Sequence, residues 1–183
     1  MERGPTPLAV CIAVLLTVAS PVKAQIVLTI TGDIEAPNRG PRDDFRDSMF
    51  KYLNIEFSRA RAITLEELKA LPQRRLEVSY DNWPRREEGG YACEGPSLAA
   101  VVALAEPAGN QFLTRALDGF AWPYDPATTD LEAVVVAHTF DGEPLAIGGR
   151  GPLMLCMTPG TYPGQTRAED SGLTWALFHI EVR

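Results

Sequence analysis

Histidine is scarce in this chain: only His138 and His179 occur in 183 residues. A metal site built on imidazole needs two or three close ligands, so two isolated histidines read as structural. No Gly-x-Ser-x-Gly elbow, His-Glu-x-x-His pair or phosphate-binding glycine loop occurs. The signatures of the serine hydrolases, zincins and P-loop enzymes are therefore missing. Positive charge is also in deficit, with 17 Lys and Arg against 24 Asp and Glu. An acidic domain repels nucleic acid and anionic lipid, and neither is expected as a partner. Long apolar runs are confined to Leu8–Val18 (LAVCIAVLLTV). Eleven helical residues rise about 16 Å, too short for a bilayer core of about 30 Å.

That run belongs to a leader. Arg3 gives a positive start, Pro21 ends the helix, and Val22 and Ala24 place small residues before Gln25. Residues 1–24 read as a cleavable secretory signal, and residues 25–183 as a single domain. The leader has no Arg-Arg pair, so export as an unfolded chain to the periplasm or medium is expected, with no stable membrane anchor after cleavage. Arg3, Lys23 and Glu2 leave with it, and the remaining domain carries net −8. Two cysteines stay behind, Cys93 and Cys156. In an oxidising compartment they can close one disulfide. Alternatively, Cys156 in the apolar run PLMLCM is a small buried hydrophobe. A Cys–His nucleophilic pair would need both thiols reduced, which such a compartment disfavours.

Strands are expected over Gln25–Thr31, Ile55–Ser58, Leu76–Tyr80, Phe112–Leu117, Ala133–Phe140, Pro152–Met157 and Thr174–Val182. Helices are expected over Asp44–Tyr52, from the Thr64 cap to Leu71, and over Ser97–Ala105. Residues 37–44 and 82–90 read as loops, and Asp118-Gly119 and Asp141-Gly142 as turns. Strands mixed irregularly with a few short helices give an α+β fold. Arg150 sits in Gly148-Gly-Arg-Gly-Pro152, where backbone N–H groups and a guanidinium can meet an anion. The plainer reading is a solvated loop arginine. Trp83, Trp122 and Tyr124 lie near turns and either line a pocket or cover a core.

The segments VLTITGDI, LKALPQ, EGPSLAAVVAL, AVVVAHTFDGEPLAIGGRGPLML and TWALFHIEV follow one another in order. Together they resemble the small bacterial proteins of the sulfite-oxidase-type molybdopterin-binding domain, over about Ile26 to Val182. The resemblance implies mixed β-sheets, a pterin-sized pocket and, for the full-size enzymes, oxidoreductase chemistry at molybdenum held by a cysteine thiolate. The stretch matching that cysteine, Leu76–Trp83, has none. An Asn-Asp-Tyr-like stretch is replaced by Asp118-Gly-Phe120. Arg150, with Arg85 or Arg86, would be left to clamp a pterin phosphate.

The expected function is thus an exported, molybdopterin-binding-like module without the metal-ligating cysteine and without a bound cofactor. It would take a small anionic ligand or a periplasmic protein partner near Tyr80, Trp83, Asp118, Tyr124 and Arg150. The alternatives are a molybdopterin-dependent oxidoreductase with an atypical metal site and an unrelated secreted α+β domain.

Overall fold

A computed structural model describes residue 1, residues 24–166 and residues 170–183. Residues 2–23, which hold most of the expected leader, lie outside the described residues. Among the described residues no helix is long and apolar enough to cross a membrane.

The first strand, β1 (Ile26–Gly32), is apolar and β-branched, and its five inner residues are buried. Burial of alternate side chains alike means that the sheet is covered on both faces at this strand. It pairs in parallel with the last strand, β11 (Leu177–Val182), placing Thr29 opposite His179. On its other side lies antiparallel β2 (Ala60–Thr64). Strands β5 (Phe112–Ala116) and β6 (Ala121–Tyr124) complete a five-stranded sheet in the order β2-β1-β11-β5-β6. β6 is an edge strand, and Pro123 within it cannot donate to a further strand.

A second sheet runs β3-β4-β8-β9, built from Arg74–Val78, Tyr91–Gly95, Thr139–Phe140 and Glu143–Pro144. A third pairs β7 (Val135–Ala137) with β10 (Met154–Cys156). Mixed sheets and, among the described residues, three short helices make the fold α+β.

Two of the helices start where the sequence says they should. Thr64 accepts from Glu67 N at 3.2 Å while the Glu67 carboxylate accepts from Thr64 N at 2.8 Å, a complete capping box for α2 (Leu65–Ala70). Ser97 accepts from Ala100 N at 3.1 Å and caps α3 (Leu98–Ala103). Leu98, Val101 and Val102 bury the inner face of α3, each contributing about 1.5–3 kcal/mol.

The main core joins all three sheets and α3 through residues such as Leu28, Ile180, Val78, Leu98, Val136 and Leu155. A smaller cluster of Phe50, Ile55 and Phe178 covers part of the five-stranded sheet under α1 (Ser48–Tyr52). A register shift between Leu177 and His179 lets two consecutive side chains, Phe178 and His179, both meet the Phe50 ring.

Several expected boundaries move. The strand expected at Ile55–Ser58 lies five residues on, at β2, because Ile55 turns inward to the small Phe50 cluster. The helix expected from Asp44 begins at Ser48, after Asp43 has closed a turn by accepting from Phe45 N and Arg46 N. β3 starts at Arg74, ahead of the expected Leu76, since exposed arginines pair on an outer strand as well as apolar residues do. The expected strand Ala133–Phe140 is broken at His138 into β7 and β8, which belong to different sheets. β4 and β6 have no counterpart in the sequence reading.

Candidate functional site

Arg150 stands at the centre of an aromatic cluster. Gly149 N and Gly151 N both donate to Ala146 O, at 3.2 and 3.1 Å, folding the glycine loop tightly on itself. The Arg150 carbonyl accepts from Ala176 N at 2.7 Å, fastening the loop to the segment before β11. The guanidinium then lies 4.4 Å from the Trp83 ring centre, 4.2 Å from Trp175 and 4.9 Å from Phe140. Each such cation–ring contact stabilises by about 0.5–2 kcal/mol, depending on how dry it is. Among the described residues the guanidinium has no hydrogen-bonded or ion-paired partner. Burial pulls its pKa below the ordinary arginine value, and the carboxylates of Asp170 and Asp141 act in the opposite direction. Three rings surround the guanidinium, and its N–H donors, bonded to no acceptor among the described residues, can meet an anion.

The cage is built from the core outward. Trp83 is 5 % exposed and meets the Tyr80, Tyr91 and Phe140 rings at 5.3, 5.4 and 5.9 Å. Its indole N–H donates to Asp170 Oδ2 at 2.8 Å, and Asn82 donates to Oδ1 of the same carboxylate at 2.8 Å. Asp170 thus ties the loop after β3 to the segment carrying Trp175. Beside Trp175 a cavity of about 330 Å³ is lined by Asn82, Asp118, Phe120 and Asp170 among others.

Of the residues expected to form a pocket, Trp83 and Arg150 are in direct contact. Asp118 lines the cavity next to Trp175 and accepts from Phe120 N at 2.9 Å to close its turn. Tyr80 lies beneath the cage, 2 % exposed, donating to Met157 O at 2.7 Å and accepting from Gln165 at 3.1 Å. Tyr124 lies elsewhere, on β6, buried and donating to Gly172 O at 2.6 Å. Burial raises both phenol pKa values above the ordinary tyrosine range. Both are loop anchors rather than surface donors.

Trp175, Phe140, Asp170 and Asn82 escaped the sequence reading. The available signal was aromatic residues beside turn residues: Asn82-Trp83-Pro84, Phe140-Asp141-Gly142 and Thr174-Trp175-Ala176, where Ala176 takes a positive φ of 48°.

The donor set does not fit a molybdenum–thiolate centre. Cys93 and Cys156 are joined in a disulfide and both are fully buried. His179 Nε2 is bonded to Thr31 Oγ1 at 2.8 Å, and His138 Nε2 to Gln73 Oε1 at 2.9 Å. Among the described residues no cluster of three or more His, Cys, Asp or Glu could hold a metal ion. A soft metal wants a thiolate, and neither sulfur here is one. Arg86, one of the clamps expected for a pterin phosphate, is ion-paired with Asp141 and lies 4.1 Å over the Tyr91 ring.

No family model and no curated protein matches the sequence. Among solved structures, the fold is similar to a chain of the sulfane dehydrogenase SoxCD from Paracoccus pantotrophus, with a TM-score of 0.54 and 14 % identity. The match covers 90 % of this chain and 39 % of that one, so this chain spans well under half the length of its neighbour. The comparison therefore establishes a distant relationship of fold to one portion of a dehydrogenase chain.

Proposed function

We propose that this protein is an exported binding module on a sulfite-oxidase-like scaffold, taking a small oxyanion or carboxylate at Arg150 and performing no molybdenum chemistry. The observation that carries the reading is the Arg150 guanidinium, ringed by Trp83, Phe140 and Trp175 and bonded to no protein acceptor among the described residues. Aromatic walls partly exclude water, which strengthens a charge-assisted hydrogen bond to an incoming anion. They also hold the side chain in place, so less rotamer entropy is lost on binding. The fold relationship to a sulfane dehydrogenase agrees with the sulfite-oxidase-type resemblance, and the buried disulfide agrees with an oxidising compartment.

Titration of the mature protein with sulfate, phosphate and benzoate, followed by tryptophan fluorescence, tests this. At least one anion should bind saturably, because Trp83 and Trp175 both touch the cation. Arg150→Ala should weaken that binding about tenfold or more, with the melting temperature shifted by only a few degrees. Arg150→Lys should restore charge without the planar fork and recover only part of the affinity. Unchanged binding in Arg150→Ala would remove this site from the reading. Near-stoichiometric molybdenum and pterin in protein purified from its native compartment would establish the oxidoreductase alternative. Export predicts a mature N-terminus at Gln25 on sequencing.

A further inference from the structure

A second concavity shares only Ser171 with the cavity beside Trp175 and is lined by none of the residues of the Arg150 cage. It has a volume of about 670 Å³ and opens along the edge strand β6. Its wall is aromatic: the Trp122 and Tyr162 rings meet at 5.5 Å with their planes 56° apart. Both rings rest on the backbone of Gly172, which has a φ of +86°. A Cβ there would fall 2.7 Å from Tyr162 Cε1 and 3.1 Å from Trp122 Nε1, so a side chain at this position would unseat the pair. Tyr162 is pinned by donation of its hydroxyl to Ser171 O at 2.5 Å, and the Trp122 ring by stacking with Phe120, ring centres 6.2 Å apart and planes 14° apart. The wall is therefore pre-formed.

The rim is polar but nearly neutral. Gln111, Asp125, Thr128 and Arg183 contribute to it. The Arg183 guanidinium is already paired with Glu181 at 2.9 Å, and Asp125 Oδ1 accepts from Ala127 N at 2.8 Å. Among the described residues no uncommitted cation is offered, so an anion gains little from them. The Thr128 hydroxyl already donates to Asp125 O at 3.3 Å, but a purely aromatic ligand would leave the Gln111 amide without a partner once water was displaced. A ligand with an apolar face and hydroxyls around its perimeter satisfies both wall and rim. An all-equatorial pyranose is such a ligand: its C–H face carries slight positive charge and stacks on the negative face of an aromatic ring.

The geometry points to a second, independent binding site in this cleft, for a neutral β-linked pyranose sugar stacked on Trp122 and Tyr162. The volume is of the size that holds one or two sugar rings.

Calorimetric titration of the mature protein with cellobiose and with N,N′-diacetylchitobiose tests the assignment, with p-cresol as the aromatic control. Saturable binding of at least one disaccharide below about 10 mM is expected. Trp122→Ala should weaken it about tenfold or more, and the exposed substitution Gln111→Ala about threefold. Arg150→Ala should leave it unchanged, which separates failure of this site from failure of the anion site. If Trp122→Ala does not fold, Gln111→Ala decides. Absence of disaccharide binding in folded protein, binding insensitive to these substitutions, or binding of p-cresol alone would overturn the proposal.

Discussion

Strands β1 and β11 run for seven and six residues and bury nearly every side chain, whereas β7 to β10 are only two or three residues long. The long pair is held by a continuous ladder. The short strands have few ladder bonds, and the region depends on cross-links between loops. Cys93 on β4 is bridged to Cys156 on β10. The Tyr80 hydroxyl reaches Met157 O, Asp170 gathers Asn82 and Trp83, and Arg150 O holds Ala176 N. A region built from cross-linked loops leaves backbone and aromatic edges free at the surface, and the Arg150 cage sits there. The long sheet supplies rigidity, and the short-strand side supplies variety of side chains.

The sharpest way to break this contrast is to remove the bridge. Cys93 and Cys156 are 63 residues apart, and opening a loop of that length in the unfolded chain costs the fold about 4 kcal/mol. The Cys93→Ala/Cys156→Ala protein should show that loss in urea unfolding under non-reducing conditions. A loss below about 1 kcal/mol would mean that packing alone holds the short strands. Next in size is Gly95→Ala on β4. Its Cβ would lie 2.0 Å from Val136 O, backbone against backbone, so β4 and β7 must separate, at about 1–3 kcal/mol. Gly40→Ala is the control, with nothing within 4 Å of the added atom and an expected change within about 0.5 kcal/mol.

The same contrast explains what the sequence could reveal. β1 and both capped helices were legible because their signals are local: β-branched runs, Thr64 followed by Glu67, Ser97 before an Ala/Val/Leu stretch. β4 and β6 were not, since YACEG and AWPY owe their strand state to neighbours distant in sequence. In the site, Arg150 and Trp83 were marked by glycines and by a Trp-Pro turn. Trp175 was hidden in an apparent strand, because the positive φ at Ala176 that delays β11 leaves no mark in the residue type. Tyr80 and Tyr124 looked like pocket residues by position, but their hydroxyls are spent on backbone carbonyls, which only the fold can show.

Acid should strike the long sheet through a single buried group. His179 is fully buried, and burial, followed by the nearby Arg115 charge, lowers its pKa to about 3, against which Glu181 acts weakly. Unfolded, the same histidine takes a proton near pH 6.5. Below that pH the unfolded state binds a proton that the folded state refuses, so stability falls as pH drops. The full slope is about 1.4 kcal/mol per pH unit, or about 2 kcal/mol between pH 7 and pH 5. Glu181, whose pKa is also lowered in the fold, adds loss of the same sign at lower pH. His179→Asn can keep a bond to Thr31 and removes the titration. Its unfolding free energy should therefore vary less between pH 7 and pH 5 than that of the parent, and equal slopes would assign the sensitivity in that range to His138, whose pKa burial also lowers.

The smallest effects separate the two regions most finely, because each carries one capped helix. Thr64 closes a full box with Glu67 at the end of β2, on the long sheet. Ser97 makes one capping bond, to Ala100 N, and α3 lies against β7 through Leu98 N, which donates to Val134 O at 2.7 Å. Thr64→Ala should cost about 1–1.5 kcal/mol and Ser97→Ala about 0.5–1 kcal/mol. If the disulfide and shared core make one cooperative unit, each loss shifts the same urea transition with its slope unchanged. If the short-strand side opens separately, Ser97→Ala should leave that transition in place. It would then raise hydrogen exchange only in α3 and the strands beside it. The comparison of these two substitutions therefore measures how firmly the cage is tied to the scaffold that carries it.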